Sequence, residues 1–89
     1  MPRVLFTENL KRHVHCPSLE VTGSTVKEAL EQVFSGNAAL RGYVLDDQGR
    51  LRKHMLIAVD GEFITDRQKL SDPVSENSEV YVAQALSGG

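Results

Sequence analysis

Residues 78–89 read SEVYVAQALSGG and decide the fold, because they join a strand pattern to a glycine end. Val80 and Val82 alternate with Tyr81 and Ala83, and this period of two places the valines on one face of a strand and the other pair on the opposite face. The Ser-Gly-Gly end cannot add to a hydrophobic core. We therefore predict a last strand with a buried valine face, followed by a short exposed tail.

The N-terminal segment, residues 3–7, reads RVLFT and predicts a first strand with Val4 and Phe6 on one face. We expect a polar turn at residues 8–10 and a return strand at residues 12–16, which together would form a hairpin. We also expect the first and last strands to lie side by side at the centre of the sheet.

The middle of the chain predicts one helix. Thr25 and Glu28 have the spacing of a capping box, and the residues around Gly36 (35–37) predict its end. Apolar residues then recur at three- and four-residue spacing, which predicts a helix that covers a sheet. These residues are Val26, Ala29, Leu30, Val33 and Phe34.

The second half predicts shorter elements. Residues 38–52 are interpreted as a loop or small hairpin. Residues 53–60 are interpreted as a strand with Met55, Ile57 and Val59 on one face and Leu56 and Ala58 on the other. Asp60-Gly61 predicts a tight turn into residues 62–64, and residues 70–78 predict a returning loop.

Length and composition set the class. Eighty-nine residues, 40% hydrophobic and 25% charged, fit one compact domain, with residues 1–86 as the domain and residues 87–89 as a flexible tail. The net charge of −2 argues against nucleic-acid or anionic-membrane partners. The lone Cys16 and the lack of a leader or long apolar run predict a cytoplasmic protein. The predicted fold class is α+β, a mixed sheet packed against one main helix.

The chemistry that this pattern allows lies at Gly88 and Gly89. A glycine pair alone is as consistent with a frayed end. Following a strand, however, it presents a carboxylate on a backbone without Cβ atoms, which can pass through a narrow channel. Attack of such a carboxylate on ATP would make an acyl adenylate, and sulfur could then replace AMP to leave a thiocarboxylate.

Three stretches give the chain its resemblance to the MoaD/ThiS family of ubiquitin-like sulfur carriers. They are residues 4–6 (VLF), residues 58–63 (AVDGEF), and residues 78–82 (SEVYV) running on to Ser87-Gly88-Gly89. The resemblance implies the β-grasp fold and a non-enzymatic co-substrate that binds no cofactor itself. Its partners would be a ubiquitin-activating-type adenylyltransferase, which consumes ATP, and a sulfur-accepting biosynthetic enzyme.

By the same resemblance, Gly89 is the residue that carries the adenylate and then the thiocarboxylate, and Gly88 is needed for threading. The acceptor would belong to molybdopterin, thiamin, cysteine or related synthesis. Two features favour cysteine or another secondary pathway: the lack of prolines at residues 84–87 and the length of residues 41–53. The implied partner-docking face consists of Thr7, Leu56, Ala58, Phe63, Tyr81 and Ala83. Phe63 could instead belong partly to the core.

Two other functions stay open. One is a ubiquitin-like modifier joined through Gly89 to lysines, and the other is a small enzyme or metal protein using His13, His15 and Cys16. We expect no metal there, because a strand would put only the two imidazoles on one face. The acidic residues Asp46, Asp47 and Asp60 belong to turn signals, and Gly36, Gly42, Gly49 and Gly61 form no phosphate-binding pattern.

Overall fold

The computed structural model describes residues 1–12 and 18–84. In chain order the elements are β1 (Arg3–Phe6), α1 (Glu8–Lys11), β2 (Leu19–Glu20), α2 (Val26–Phe34), α3 (Ala38–Val44), β3 (Met55–Val59), β4 (Glu62–Phe63) and β5 (Glu79–Gln84).

The five strands form one mixed sheet in the order β2-β1-β5-β3-β4. The chain-terminal strands β1 and β5 pair in parallel, with Val4 opposite Val80 and Phe6 opposite Val82. The other pairs are antiparallel. The prediction that the first and last strands lie together at the centre is confirmed, and so is the α+β class.

The core lies between the inner face of the sheet and α2. Val4, Val80 and Val82 are completely buried on that face. The apolar stripe of α2 meets them, and each of its five predicted members is buried. Burial of side chains of this size contributes about 1.5–3 kcal/mol each. The buried valines of β5 and the apolar stripe of α2 therefore stabilise the fold together, as parts of one core.

Helix α2 begins as predicted. The Thr25 side chain accepts a hydrogen bond from the Glu28 backbone N–H at 3.2 Å, while the Glu28 carboxylate accepts one from the backbone N–H of Ser24 at 2.7 Å. The first bond satisfies a donor that the first turn of a helix leaves unpaired, and the second ties the residue before the cap to that turn. The helix ends at Phe34, and its C-cap Ser35 keeps a helical φ of −58°, so the stop does not use a left-handed Gly36.

The predicted polar turn at residues 8–10 is wrong, because Glu8–Lys11 form the short helix α1. Leu10 is completely buried, and this burial explains why the chain coils there. The predicted return strand at residues 12–16 lies mostly outside the described residues; its first residue, Arg12, has helical angles and caps α1. The described antiparallel partner of β1 is Leu19–Glu20.

The interpretation of residues 38–52 as a loop or hairpin is half wrong. Ala38–Val44 form α3, whose cap Asn37 accepts a hydrogen bond from the Leu40 N–H at 3.2 Å. Leu40 and Val44, four residues apart, are both completely buried. A small hairpin does follow, closed by an antiparallel bridge between Leu45 and Leu51.

The turn between β3 and β4 is confirmed. Asp60 and Gly61 both have positive φ, 51° and 88°, as a two-residue hairpin turn of type I′ requires. The Asp60 carboxylate also accepts hydrogen bonds from the Ser78 hydroxyl at 3.0 Å and from the Glu79 N–H at 2.9 Å. The turn is thereby tied to the start of β5.

Candidate docking face and tail

The outer face of the sheet, away from the helices, carries side chains in register rows. One row runs across four strands, since Leu5 pairs with Tyr81, Tyr81 with Ala58, and Ala58 with Phe63. These four side chains come from three segments that are far apart in sequence, since Ala58 and Phe63 belong to one hairpin. The sheet therefore assembles a continuous apolar band that no single segment contains.

A second row lies closer to the end of β5. Leu56 pairs with Ala83. The Thr7 N–H donates a hydrogen bond to the Val82 carbonyl at 3.2 Å, so the parallel pairing of β1 with β5 continues by one residue and places Thr7 beside Ala83. The structure thus brings together the six residues predicted as a docking face. Neither row contains an Asp, Glu, Lys, Arg or His side chain.

The two aromatic side chains are the exposed part of this face. Phe63 is 70% exposed and Tyr81 is 45% exposed, whereas Leu56, Ala58 and Ala83 are partly buried between them. The suggestion that Phe63 belongs partly to the core is wrong. Exposed aromatics in an uncharged patch are typical of protein–protein contact sites.

Leu5 belongs to the same face, although it was not among the six residues predicted as the docking face. It is partly buried and lies beside Tyr81 in the first row. The signal was present in the alternation of β1, because Val4 and Phe6 face the core and the residue between them must face outward.

Thr7 is unusual in this face. Its side-chain oxygen is buried and has no hydrogen-bond partner among the described residues, and it does not cap α1 although it holds the N-cap position. An unpaired buried hydroxyl costs stability. Thr7 thus holds a polar atom at the boundary between β1, α1 and the end of β5.

Gly88 and Gly89 lie outside the described residues, as do Ala85 and Leu86. The described part of β5 ends at Gln84, opposite Met55 of β3. The roles predicted for the two glycines therefore remain predictions.

The competing sites gain no support. His13, His15 and Cys16 lie outside the described residues, and within residues 1–12 and 18–84 no group of three His, Cys, Asp or Glu side chains could hold a metal ion. Asp46 has a structural role: backbone hydrogen bonds, first from Arg50 and then from Gln48, lower the pKa of its carboxyl, and Arg50 also pairs with it at 3.0 Å.

Among the described helices, none is both long enough and apolar enough to cross a membrane.

A mixed sheet with a central parallel pair, one covering helix and two apolar rows on its outer face is the arrangement of a ubiquitin-like protein of the β-grasp fold. The sequence identifies the group more narrowly: the ThiS family model matches residues 4–89. The chain belongs to the ThiS family.

Solved structures agree on the fold. The chain is similar to CysO in the Amycolatopsis orientalis BexX/CysO complex (TM-score 0.80, 22% identity, 100% of both chains covered). It is also similar to SAMP1 from Haloferax volcanii (TM-score 0.76, 23% identity, 99% of this chain and 98% of that chain). CysO from Mycobacterium tuberculosis gives a TM-score of 0.78 at 17% identity, over 97% of this chain and 100% of that chain. A comparison with curated protein sequences found no match.

Proposed function

We propose that this protein is a sulfur carrier that is loaded at Gly89 by partner enzymes and is not itself an enzyme. The Gly89 carboxylate attacks the α-phosphate of ATP, pyrophosphate leaves, and an acyl adenylate forms. Sulfide then attacks the acyl carbon, the bond to AMP breaks, and a thiocarboxylate remains. If the sulfur comes from a protein persulfide, an acyl disulfide forms first and a thiol must release the thiocarboxylate.

The observation that carries the proposal is the position of the two uncharged rows on the outer face of the sheet. Its second row, Thr7–Ala83–Leu56, lies next to the last described residue of β5, so a partner seated on the face is also next to the start of the tail. Five residues follow Gln84, and a fully extended chain of that length spans about 17 Å. That span is enough to reach an active site set back from the docking surface.

The chemistry belongs to the partners. In this proposal an adenylyltransferase of the ubiquitin-activating type binds the ATP, and Gly88 lets the tail pass a narrow channel because it has no Cβ. Delivering the thiocarboxylate inside a second enzyme keeps it away from water and raises its effective concentration. The acceptor would be a biosynthetic enzyme of molybdopterin, thiamin or cysteine synthesis, and the length of residues 41–53 together with the lack of prolines at residues 84–87 favours cysteine or another secondary pathway.

Intact mass spectrometry tests the proposal. We expect incubation with a cognate activating enzyme, ATP and sulfide to add the mass of one sulfur exchanged for one oxygen. The matched control removes only Gly89. It should abolish the mass gain and leave the midpoint of thermal unfolding nearly unchanged, because a glycine has no side chain that could contribute to a hydrophobic core. A large loss of stability in this variant would contradict the proposal.

A protein modifier is the second candidate, and the likeness to a structure named small archaeal modifier protein 1 favours it. Both functions begin with the same adenylate. They differ in the nucleophile, which is sulfur in one case and a lysine amine in the other. Gly89-dependent conjugates on other proteins, without any thiocarboxylate, would favour the modifier.

A further inference from the structure

Charged side chains are separated by sign along the direction of β5. The start of β5 is surrounded mainly by carboxylates, with Arg3 among them, and the end is surrounded mainly by cations. The acidic end comprises Glu20, Asp60, Glu76 and Glu79, and the basic end comprises Lys11, Arg12 and Lys53, with His54 beside them. The uncharged rows of the docking face lie between the two ends.

The topology explains why the basic end is also the tail end. Because β1 runs parallel to β5, helix α1 and Arg12, which follow β1, lie where β5 ends. Because Met55 pairs with Gln84, the turn at Lys53 and His54 that precedes Met55 lies there as well. Cations from two distant segments therefore lie on two sides of the start of the tail.

Most of this positive charge is available to a partner. Lys11 has Glu8 at 3.5 Å, an exposed pair one helical turn apart that contributes little. Arg12 and Lys53 are exposed and make no ion pair with the described residues. The cations are thus not neutralised within the described part of the protein.

The acidic end is partly organised internally. Arg3 pairs with Glu79 and lies opposite Glu20 in the register of β1 and β2. Asp60 holds the start of β5 through its bonds to Ser78 and to the Glu79 N–H. Even so, the carboxylates outnumber the one arginine, so this end stays negative.

We propose that this charge separation sets the direction in which the activating enzyme seats the carrier, and that the enzyme therefore has carboxylates beside the entrance that receives the tail. The inference rests on the proposed function. An uncharged apolar face can bury similar area in two opposite orientations, but only one of them points the tail into the enzyme. In the reversed orientation like charges would meet at both ends, which is unfavourable.

The test is a reversal of the basic end, Lys11→Glu, Arg12→Glu and Lys53→Glu, in the full chain. The matched control is Lys27→Glu, Arg41→Glu and Lys69→Glu, exposed cations on the helical side of the molecule. Both triple variants change the net charge equally. Each also breaks one ion pair within a helix, Lys11 with Glu8 or Lys27 with Glu31.

The readout is ATP–pyrophosphate exchange by the activating enzyme, measured against carrier concentration. We expect the tail-end variant to raise KM for the carrier by about tenfold or more with little change in kcat, and the control by less than about twofold. The difference should shrink as salt rises from 50 mM to 500 mM, because the screening length then falls to a few ångströms. Thermal unfolding of both variants reports whether they fold.

Equal effects of the two variants, or no effect of either, would overturn the inference while leaving the proposed function standing. A tail-end variant that does not fold is replaced by Arg12→Glu with Lys53→Glu, against Arg41→Glu with Lys69→Glu, under the same expectation. If the unmodified protein supports no exchange, the proposed function itself fails, and the inference fails with it.

Discussion

Individual side chains on the outer face divide into those that a partner would contact and those that support them. Met1, Leu19, Phe63 and Tyr81 are the exposed large apolar residues in the described part of the chain, and only the two aromatics lie in the first row of the face. Aromatic residues carry a large share of binding energy where they enter a partner's pocket. Phe63 and Tyr81 are therefore the residues whose loss should matter most for docking.

Replacing both aromatics, Phe63→Ser with Tyr81→Ser, should raise the KM of loading at least tenfold, because each anchor contributes about 1–2 kcal/mol or more. The unfolding free energy should fall by only about 1 kcal/mol per site or less, since both side chains are already exposed. Leu19→Ser is the control: it removes exposed apolar surface away from the rows and should leave KM within about twofold. A control that impairs loading as much would contradict the docking face.

The Thr7 hydroxyl, which has no hydrogen-bond partner among residues 1–12 and 18–84, gives a second prediction at this scale. Thr7→Val keeps the shape of the side chain and removes the buried oxygen, so we expect the unfolding free energy to rise by about 1 kcal/mol. Thr65→Val is the matched opposite, because the Thr65 hydroxyl donates to Asp72 at 3.1 Å, and it should destabilise by a similar amount. Urea unfolding measures both. A destabilised Thr7→Val would show that this hydroxyl has a partner in the folded protein.

At the scale of elements, glycine acts in opposite ways in a turn and in a helix. Gly61 has a φ of 88° in the turn that joins β3 to β4 and thereby sets the register of Ala58 with Phe63. Gly42 lies inside α3, and an added Cβ would meet nothing within 4 Å. Replacing each glycine by alanine therefore tests one position where the backbone conformation requires glycine and one position where it does not.

Gly61→Ala should lower the unfolding free energy by about 1 kcal/mol or more, because the left-handed conformation is strained for a residue with a Cβ. Gly42→Ala should raise it by up to about 1 kcal/mol through helix propensity. Denaturant titration of the two variants checks the signs. If Gly61→Ala proved neutral, the turn would have another accessible geometry and the position of Phe63 would not depend on it.

At the scale of the whole molecule, the loop between β4 and β5 is held by carboxylates. Backbone bonds from Lys69, then the Ser71 hydroxyl and further N–H groups lower the pKa of Asp66 to about 2. Bonds from the Thr65 and Asp66 N–H groups lower the pKa of Asp72. In the unfolded chain both carboxyls would titrate near their ordinary value of about 3.9, so folding favours their ionised forms.

The sign of the pH dependence follows. This contribution to stability is fully present above the unfolded pKa and is lost as the pH falls through about 4 towards 2. We expect the temperature at the midpoint of thermal unfolding to stay constant as the pH is lowered to about 5, and to fall at lower pH. Asp66→Asn should reduce the slope of that fall, whereas Asp47→Asn, exposed in the neighbouring hairpin, should not. Identical acid profiles for all three proteins would contradict the role of Asp66.

Local patterns were enough to predict α2, β3, β5 and the outward-facing residues, because helix and strand periodicities and the Thr25 cap are properties of neighbouring residues. The helices α1 and α3 were missed for a physical reason. Each is short, and burial of Leu10 in one and of Leu40 and Val44 in the other stabilises them through contacts that sequence spacing does not reveal.

The sequence by itself determined which side chains face inward or outward along β1, α2, β3 and β5, and it placed the chain near a known family. The sequence also led us to expect that the first and last strands are neighbours, but only the tertiary structure decided the full strand order, the Leu19–Glu20 partner of β1 and the register of each pair. Pairing of β1 with β5 brings Leu5 beside Tyr81 across most of the chain length and places Arg12 near the end of β5, and pairing of β3 with β5 places Lys53 there as well. Strand order and register depend on long-range burial in the common core, which no local window of residues contains.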